Sequence, residues 1–351
     1  MTDTSSFRLT LDLATETWRL KSPFRISGFT WTDRSVLVVT VGREDAVGRG
    51  EAAGVYYFAE TPERMAAQLE AVRPEIENGV TRQDLYRLLP PGGARNALDC
   101  ALWELESRLS GTPVWRLAGL GRPRPLETIH TLGAGDPGAM ASGARAFAEA
   151  RHLKLKLTGD ATEDAERVRA VRAERPDVWL GVDANQGLTA ATLDRLLPVL
   201  LAARVSLIEQ PFPRGREADL DGLRSPIPIA ADESAQIASD VDGLVGRFDV
   251  VNIKLDKSGG LTEGLAMAAE ARRAGLRVMV GNMTGTSWAM APAFLLGQLC
   301  DLVDLDGPLL LARDRTPSVA YRDGRIWCPE HLWGAPAVAG GRMSGDGRSG
   351  R

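Results

Sequence analysis

The sequence predicts an α/β protein in which eight strands alternate with helices behind a smaller α+β unit. Two patterns predict it. Short β-rich runs recur from residue 128 onward, with starts about 22 to 27 residues apart and helix-period stretches between them. Five consecutive apolar runs also end in a charge, at Lys156, Asp183, Glu209, Asp232 and Lys254.

In the first part, residues 7–13, 35–41 and 50–57 alternate as strands do. Turn residues at Ser27-Gly28 and from Gly42 to Gly48 separate them, which reads as an antiparallel meander. At Thr61-Pro62-Glu63 the period changes, because threonine caps a helix and proline suits its first turn. Residues 94–109 make a second helix, with Ala97, Ala101, Trp103 and Leu105 suited to packing, and Gly111-Thr112-Pro113 stops it. The first domain is therefore read as 1–120.

Beyond it, strands are expected at 128–132, 153–157, 179–182, 206–208, 228–231, 250–255, 277–280 and 302–305. Helices fall between them, as at 164–175 and 262–273. Parallel strands at this spacing close into a TIM-type barrel. The turn-rich stretch after the eighth strand argues against a regular eighth helix, so residues 121–312 read as a modified (β/α)7β barrel. Residues 313–339 are expected to return to the first domain. The Gly-, Ser- and Arg-rich residues 340–351 are expected to be disordered.

Composition narrows the function. Apolar residues are 44%, charged residues 25% and the net charge −4, so no basic footprint points to nucleic acid. No apolar stretch is long enough to span a bilayer, and residues 1–13 lack a signal-peptide core. Cys100, Cys300 and Cys328 lie far apart without paired spacing, which fits buried thiols in a reducing cytoplasm. His130, His152 and His331 form no close pair, which argues against a histidine-ligated zinc site.

The strand ends carry the chemistry. Lys154 and Lys156 share one strand face while Leu153, Leu155 and Leu157 share the other. A solvated pair on an edge strand is one explanation. In a barrel strand the amines point inward and each disfavours the other's charge, lowering a pKa toward the range of a proton acceptor. Asp183, Glu209 and Asp232 are each explicable as a cap or rim residue. Three acids at one position of three consecutive units are better explained by a hard cation, with magnesium favoured by all-oxygen ligands. Asn185 and Glu233 stand beside them as supporting groups. Lys254, from the sixth strand, lies opposite Lys156, from the second, across an eight-strand ring. Two bases facing each other across a metal-bound carboxylate suit racemisation or epimerisation. Asp304 and Asp306 at the eighth strand are either a water-exposed rim pair or a grip on a substrate ammonium.

These motifs resemble the enolase superfamily, in its muconate-lactonizing-enzyme subgroup, and within it the dipeptide epimerases. The resemblance runs from the meander through Asp306. It rests on Lys154-Leu155-Lys156, Asp183-Ala184-Asn185, Glu209-Gln210-Pro211, Asp232-Glu233-Ser234, Asn252-Ile253-Lys254-Leu255-Asp256-Lys257 and Asp304-Leu305-Asp306-Gly307-Pro308. It implies that the first unit is a capping domain and that Asp183, Glu209 and Asp232 bind Mg2+. Lys156 and Lys254 would exchange the α-proton through an ene-diolate, with Lys154 tuning Lys156. Asp304 and Asp306 would bind the ammonium of a dipeptide.

Phe24-Arg25-Ile26-Ser27 resembles the loop that closes over substrate. Arg25 there is either an ordinary loop arginine or a contact for a side-chain carboxylate, as in epimerases acting on Ala-Glu. Where many relatives carry Cys-Met and then an acid, this chain has Gly281-Asn282-Met283-Thr284-Gly285. Asn282 is the candidate to meet the peptide group. The implied partner is a small dipeptide or N-acylamino acid, and the implied assembly a possible homo-oligomer. An N-acylamino-acid racemase, such as one acting on N-acylglutamate, and a cycloisomerase of the subgroup are the alternatives. Neither gives an acid pair at the eighth strand an ammonium to bind.

Overall fold

The computed structural model describes residues 8–223 and 225–336. Three antiparallel strands open the chain: β1 (Thr10–Ile26), β2 (Phe29–Arg43) and β3 (Ala46–Ala52). Both β1 and β2 are longer than hydrophobic alternation predicts. They pair from Thr10↔Gly42 to Ile26↔Phe29, around a register shift between Arg19 and Phe24. Only part of this ribbon packs on helices, so its outer length carries polar residues. Within β2, Leu37, Val39 and Val41 face the capping helices while Val36 and Val38 pack with Met283 of the barrel. Burial on both faces explains the unbroken apolar run.

Strand β3 lies at residues 46–52 rather than 50–57, so Gly48 and Gly50 are strand residues and not a hairpin loop. The reason is packing. A Cβ at Gly48 would stand 2.0 Å from the Ala101 carbonyl oxygen, and one at Gly50 1.9 Å from that of Ala97. The two glycines let a helix lie directly on the strand.

That helix belongs to the next group: α1 (Pro62–Ala71), α2 (Arg73–Glu77), α3 (Leu85–Leu88), α4 (Gly93–Ser110) and α5 (Val114–Leu117). Thr61 caps α1 by accepting from the Arg64 amide, and α4 ends at Gly111 with φ +67°.

After a short β4 (Leu126–Glu127), eight parallel strands form the barrel in sequence order. They are β5 (Ile129–Leu132), β6 (His152–Lys156), β7 (Trp179–Asp183), β8 (Leu207–Glu209), β9 (Ile229–Ala231), β10 (Val250–Lys254), β11 (Arg277–Gly281) and β12 (Leu302–Val303). Helices α6 (Pro137–Ala146), α7 (Ala161–Glu174) and α8 (Ala190–Ala202) follow the first three strands. Then α9 (Leu255–Ser258) and α10 (Leu261–Arg273) follow β10, and α11 (Ser287–Gly297) follows β11. The connections after β8 and β9 are short 3-10 turns, Glu217–Leu220 and Ala238–Leu244. After β12 only α12 (Gly307–Leu310) forms, as the turn-rich sequence predicts.

Between β12 and β5 the seam is closed by side chains. The Leu305 amide donates to Thr128 Oγ1 at 3.0 Å, and the Thr131 amide donates to Asp306 Oδ2 at 2.6 Å.

The chain then makes β13 (Ala320–Arg322) and β14 (Arg325–Trp327), which pair with each other while β14 also pairs with β4. Beyond them the Trp333 indole donates to the Arg49 carbonyl, and the Gly334 carbonyl accepts from Val114 N and Ser107 Oγ. The tail expected to be disordered lies outside the described residues.

Polar joints hold the first unit over the barrel. Asp99 of α4 accepts from the Thr262 amide and hydroxyl, and Arg95 donates to the Ser258 carbonyl. Asp256 Oδ1 accepts the amides of Ala53 and Gly54 at 2.8 and 2.9 Å. Burial pushes the Asp256 carboxyl up to about 6. For an acid raised on folding, the native state holds the extra proton, and that stabilisation is lost as pH rises through about 6. Asp256→Asn keeps an oxygen for both amides. Relative to wild type it should therefore gain on the order of 2 kcal/mol between pH 4 and pH 7 in urea melts. A pH-independent difference would contradict this.

Candidate active site

Register carries the acids to one level. Lys156 is the lateral neighbour of Asp183, and Asp183 of Glu209. Asp232 follows β9 directly. The carboxylate oxygens of Asp183, Glu209 and Asp232 lie within 4.8 Å of one another, and all three residues are buried. Leu153, Leu155 and Leu157 enter the core around the barrel, so Lys154 and Lys156 point to its interior.

Each amine has found a carboxylate. Lys156 Nζ lies 2.5 Å from Asp183 Oδ2, and Lys254 Nζ 2.5 Å from Asp232 Oδ2. Lys154 Nζ reaches Glu209 Oε2 at 2.8 Å and Asp304 Oδ2 at 2.5 Å. A fourth buried amine, Lys257, donates to Asp232 Oδ1 at 2.7 Å, to the Asp232 carbonyl, and to the Asn252 carbonyl at 3.1 Å. The Asn252 amide in turn donates to Glu209 Oε1 at 2.7 Å.

The electrostatics follow from that crowding. Burial opposes the Lys154 charge, but Asp304, Glu209 and Asp183 outweigh it and hold its pKa well above the ordinary lysine value. Lys254 is raised in the same way by Asp232 and Glu209. The lowered pKa expected from the pair of lysines is therefore wrong for Lys154, because the carboxylates around it dominate over lysine–lysine repulsion. Burial also opposes ionisation of Asp232, yet Lys254 and Lys257 pull its pKa far down. Glu233 goes the other way: burial, then Asp232 and Asp183, push it up to about 8. Asp306 rises to about 6 through burial and its neighbour Asp304.

Beside the triad lies a small cavity of about 60 Å³ whose wall both units share. The barrel contributes Lys156, Lys254, Asn185, Glu233, Asn282 and Met283 to its lining, and the first unit contributes Phe24, Ile26, Trp31, Arg34, Tyr56 and Tyr57. Glu233 Oε2, Asn185 Oδ1 and Asn252 Oδ1 are buried without a hydrogen-bond partner. An acid-rich centre with oxygen atoms left over is the donor set a hard cation takes.

The two matched regions of sequence now identify the family. Residues 8–119 match the mandelate racemase/muconate lactonizing enzyme N-terminal domain, and residues 139–334 match the enolase C-terminal domain-like family. The chain belongs to this family. It is 38% identical over 317 residues to the L-Ala-D/L-Glu epimerase of Escherichia coli (strain K12), covering 90% of this chain and 99% of that one. It is 36% identical over 304 residues to an N-acetyl-D-glutamate racemase of Pseudoalteromonas sp, covering 85% and 95%. A crystal structure from Agrobacterium tumefaciens aligns with a TM-score of 0.90 at 40% identity, over 93% of this chain and 100% of the other. That protein is an enolase family member with homology to dipeptide epimerases, with sodium and L-Ala-L-Glu bound. The motif-based resemblance is borne out.

The structure gathers Lys154, Lys156, Asp183, Asn185, Glu209, Asp232, Glu233 and Lys254 at one centre. Asp304 and Asp306 are also buried, so they are not an exposed rim pair, but they turn to Lys154 and to the Thr131 amide. Neither lines the cavity. Asn282 does, and its amide donates to the Asp304 carbonyl at 2.6 Å. Arg25 is exposed and outside the lining, because alternation along β1 turns Phe24 and Ile26 inward instead.

Sequence reasoning placed Asn252 and Lys257 in a motif with Lys254 without giving either a role, although Asn252 shares a strand face with Lys254. It missed Arg34, Tyr56 and Tyr57, which have no signal in their local pattern.

Removing the Lys257 amine leaves Asp232 buried with one cation fewer. Lys257→Met should cost about 3–5 kcal/mol in denaturant melts without added metal. A loss below about 1 kcal/mol would show that Lys257 is not part of the charge balance.

Proposed function

We propose that this protein is a magnesium-dependent epimerase that inverts the α-carbon of the C-terminal residue of a dipeptide, L-Ala-D/L-Glu or a close analogue. The observation that carries this reading is the placement of Lys156 and Lys254. They stand on β6 and β10, four strands apart in a ring of eight, each bonded to a different acid of the triad and both lining one cavity.

In this reading Asp183, Glu209 and Asp232 hold Mg2+, supported by the all-oxygen donors and the unpartnered Asn185 and Glu233 oxygens. Bound there, the ion would offset the charge that builds on the substrate carboxylate as its α-proton leaves. Lys156 takes that proton from one face and Lys254 supplies one to the other, the roles reversing for the opposite epimer. Lys154 holds Glu209 and Asp304 in place between them. Tyr56, Tyr57 and Trp31 cover the cavity and limit water, which would quench the carbanion from either side. Asp304 and Asp306 would receive the substrate ammonium, and Asn282 its peptide group.

The same proposal divides the chain at 120/121 and 312/313. It places the protein in the cytoplasm, which its free cysteines suit. Among the described residues, no helix is long and apolar enough to cross a membrane. It also includes self-association, which light scattering on the purified protein reads directly.

In D2O with Mg2+, L-Ala-L-Glu should exchange its C-terminal α-proton and epimerise, as followed by NMR. EDTA should stop both and added Mg2+ restore them. Lys156→Ala and Lys254→Ala should each slow epimerisation by about 100- to 10,000-fold. Each variant should still exchange the α-proton of one epimer, and not the same one. Two variants that lose the same epimer would place both lysines on one face.

The N-acetyl-D-glutamate racemase relative supports a second reading, in which the amine is acylated and Asp304 and Asp306 meet no ammonium. Replacing both by Asn separates the two. Dipeptide turnover should fall about 100-fold further than N-acetylglutamate turnover, which loses only what the Lys154–Asp304 and Thr131–Asp306 contacts contribute. An equal loss on both substrates would remove the ammonium role.

A further inference from the structure

Each acid of the triad stands where the parallel ladder that aligns it runs out. The last pair between β8 and β9 is Glu209↔Ala230, and Asp232 lies beyond the end of β9. Its amide therefore needs a partner that the sheet does not supply. Gln210 supplies it. The Gln210 side-chain oxygen accepts the Asp232 amide at 2.9 Å and the Ser234 amide at 3.1 Å. Its side-chain nitrogen donates to the Phe212 carbonyl at 2.9 Å and to Ser234 Oγ at 2.8 Å. The residue is buried, and both lone pairs and both N–H groups of its amide are used. Two N–H groups on one side and a carbonyl on the other also fix which way that amide points.

The main chain of the same residue reaches further. Its amide donates to the Ala230 carbonyl and its carbonyl accepts from the Gln186 amide, both at 2.9 Å. The chain ends that carry Asp183, Glu209 and Asp232 thus meet on one residue. Its backbone is unusual as well. Gln210 has φ +35° and Gln186 φ +68°, in the left-handed region that side chains disfavour. Such a conformation persists only where the surroundings over-determine it. Glycine would meet that backbone need more readily, so the side chain is the reason for a glutamine here. We infer that Gln210 is a positioning residue for the metal: without being a ligand, it sets the distance of Asp232 from Asp183 and Glu209. It thereby sets the preference for a small cation, since Mg2+ demands close, near-octahedral oxygens while Ca2+ tolerates a wider and looser set. This rests on the Mg2+ reading of the triad and deepens it.

The test is binding of Mg2+ and of Ca2+, each alone, to the purified full chain by isothermal titration calorimetry, for wild type, Gln210→Gly and Gln210→Met. Glycine accepts the left-handed backbone, so Gln210→Gly removes the side-chain bonds without adding strain. In that variant Mg2+ affinity should fall by about 10- to 100-fold, and the ratio of Mg2+ to Ca2+ affinity by about 10-fold. A glutamine that served only the fold would lower the melting temperature without metal and leave both affinities within about twofold of wild type. That result overturns the inference. So do equal losses of Mg2+ and Ca2+, which would mean that the site is lost as a whole rather than re-spaced. Should Gln210→Gly not fold, Gln210→Met decides by the same two affinities. A wild type that binds neither ion would instead remove the metal reading of the triad, and this inference with it.

Discussion

Mutual neutralisation of buried lysines and carboxylates inside the barrel mouth is the constraint on which the rest depends. Four amines, Lys154, Lys156, Lys254 and Lys257, meet six acids, Asp183, Glu209, Asp232, Glu233, Asp304 and Asp306, all of them buried. None of these charges would persist there alone. Lys154 is the hub: it ties Glu209 of β8 to Asp304 beyond β12 and lies 3.8 Å from Asp183. The acids outnumber the amines, and the surplus appears as protons favoured on Glu233 and Asp306. A divalent cation at the triad would replace such protons, which links the charge balance of the fold to the proposed chemistry.

The barrel alone makes half of the cavity. Its other half comes from the β1–β2 ribbon and the loop carrying Tyr56 and Tyr57, so the unit above the barrel must be placed accurately. Accuracy comes from close contact. Gly48 and Gly50 seat α4 directly on β3, while Asp99, Arg95 and Asp256 bond across to the barrel. On the far side, Glu51 accepts from the Thr286 amide and hydroxyl and pairs with Arg315 at 2.7 Å. That clamp fixes the end of the stretch that begins at Asn282 and Met283, which line the cavity. In the proposed reading a division of labour follows: the lysines that would move protons sit on rigid strand ends, and the side chains that would meet the variable part of a substrate sit on the covering unit.

Much of this was legible in the chain. The barrel strands fall where apolar runs predict them, because each is buried on both faces and reads as a continuous hydrophobic segment. Asp183, Glu209 and Asp232 stood out because a charge that ends such a run has no packing reason to be there. The long reach of β1 and β2 was not legible, since beyond the helices the ribbon is half-solvated and its alternation fades. The two 3-10 connections after β8 and β9 were also hidden, for their length alone admits a helix. Arg25 was singled out because its position in a loop motif was the only guide, and strand alternation turns it outward.

The chain by itself determined which residues belong together, because period, strand length and the recurrence of charge at strand ends are local properties that survive without coordinates. It also determined the class of chemistry, since two amines around three acids admit few uses. Tertiary structure alone decided the charge states and the shape of the cavity. A lysine pKa depends on how many carboxylates crowd it, and Lys154 is raised although its own strand suggested the reverse. Which arginine faces the cavity depends on how one domain is laid over another, and contacts between residues so distant in sequence leave no periodic trace.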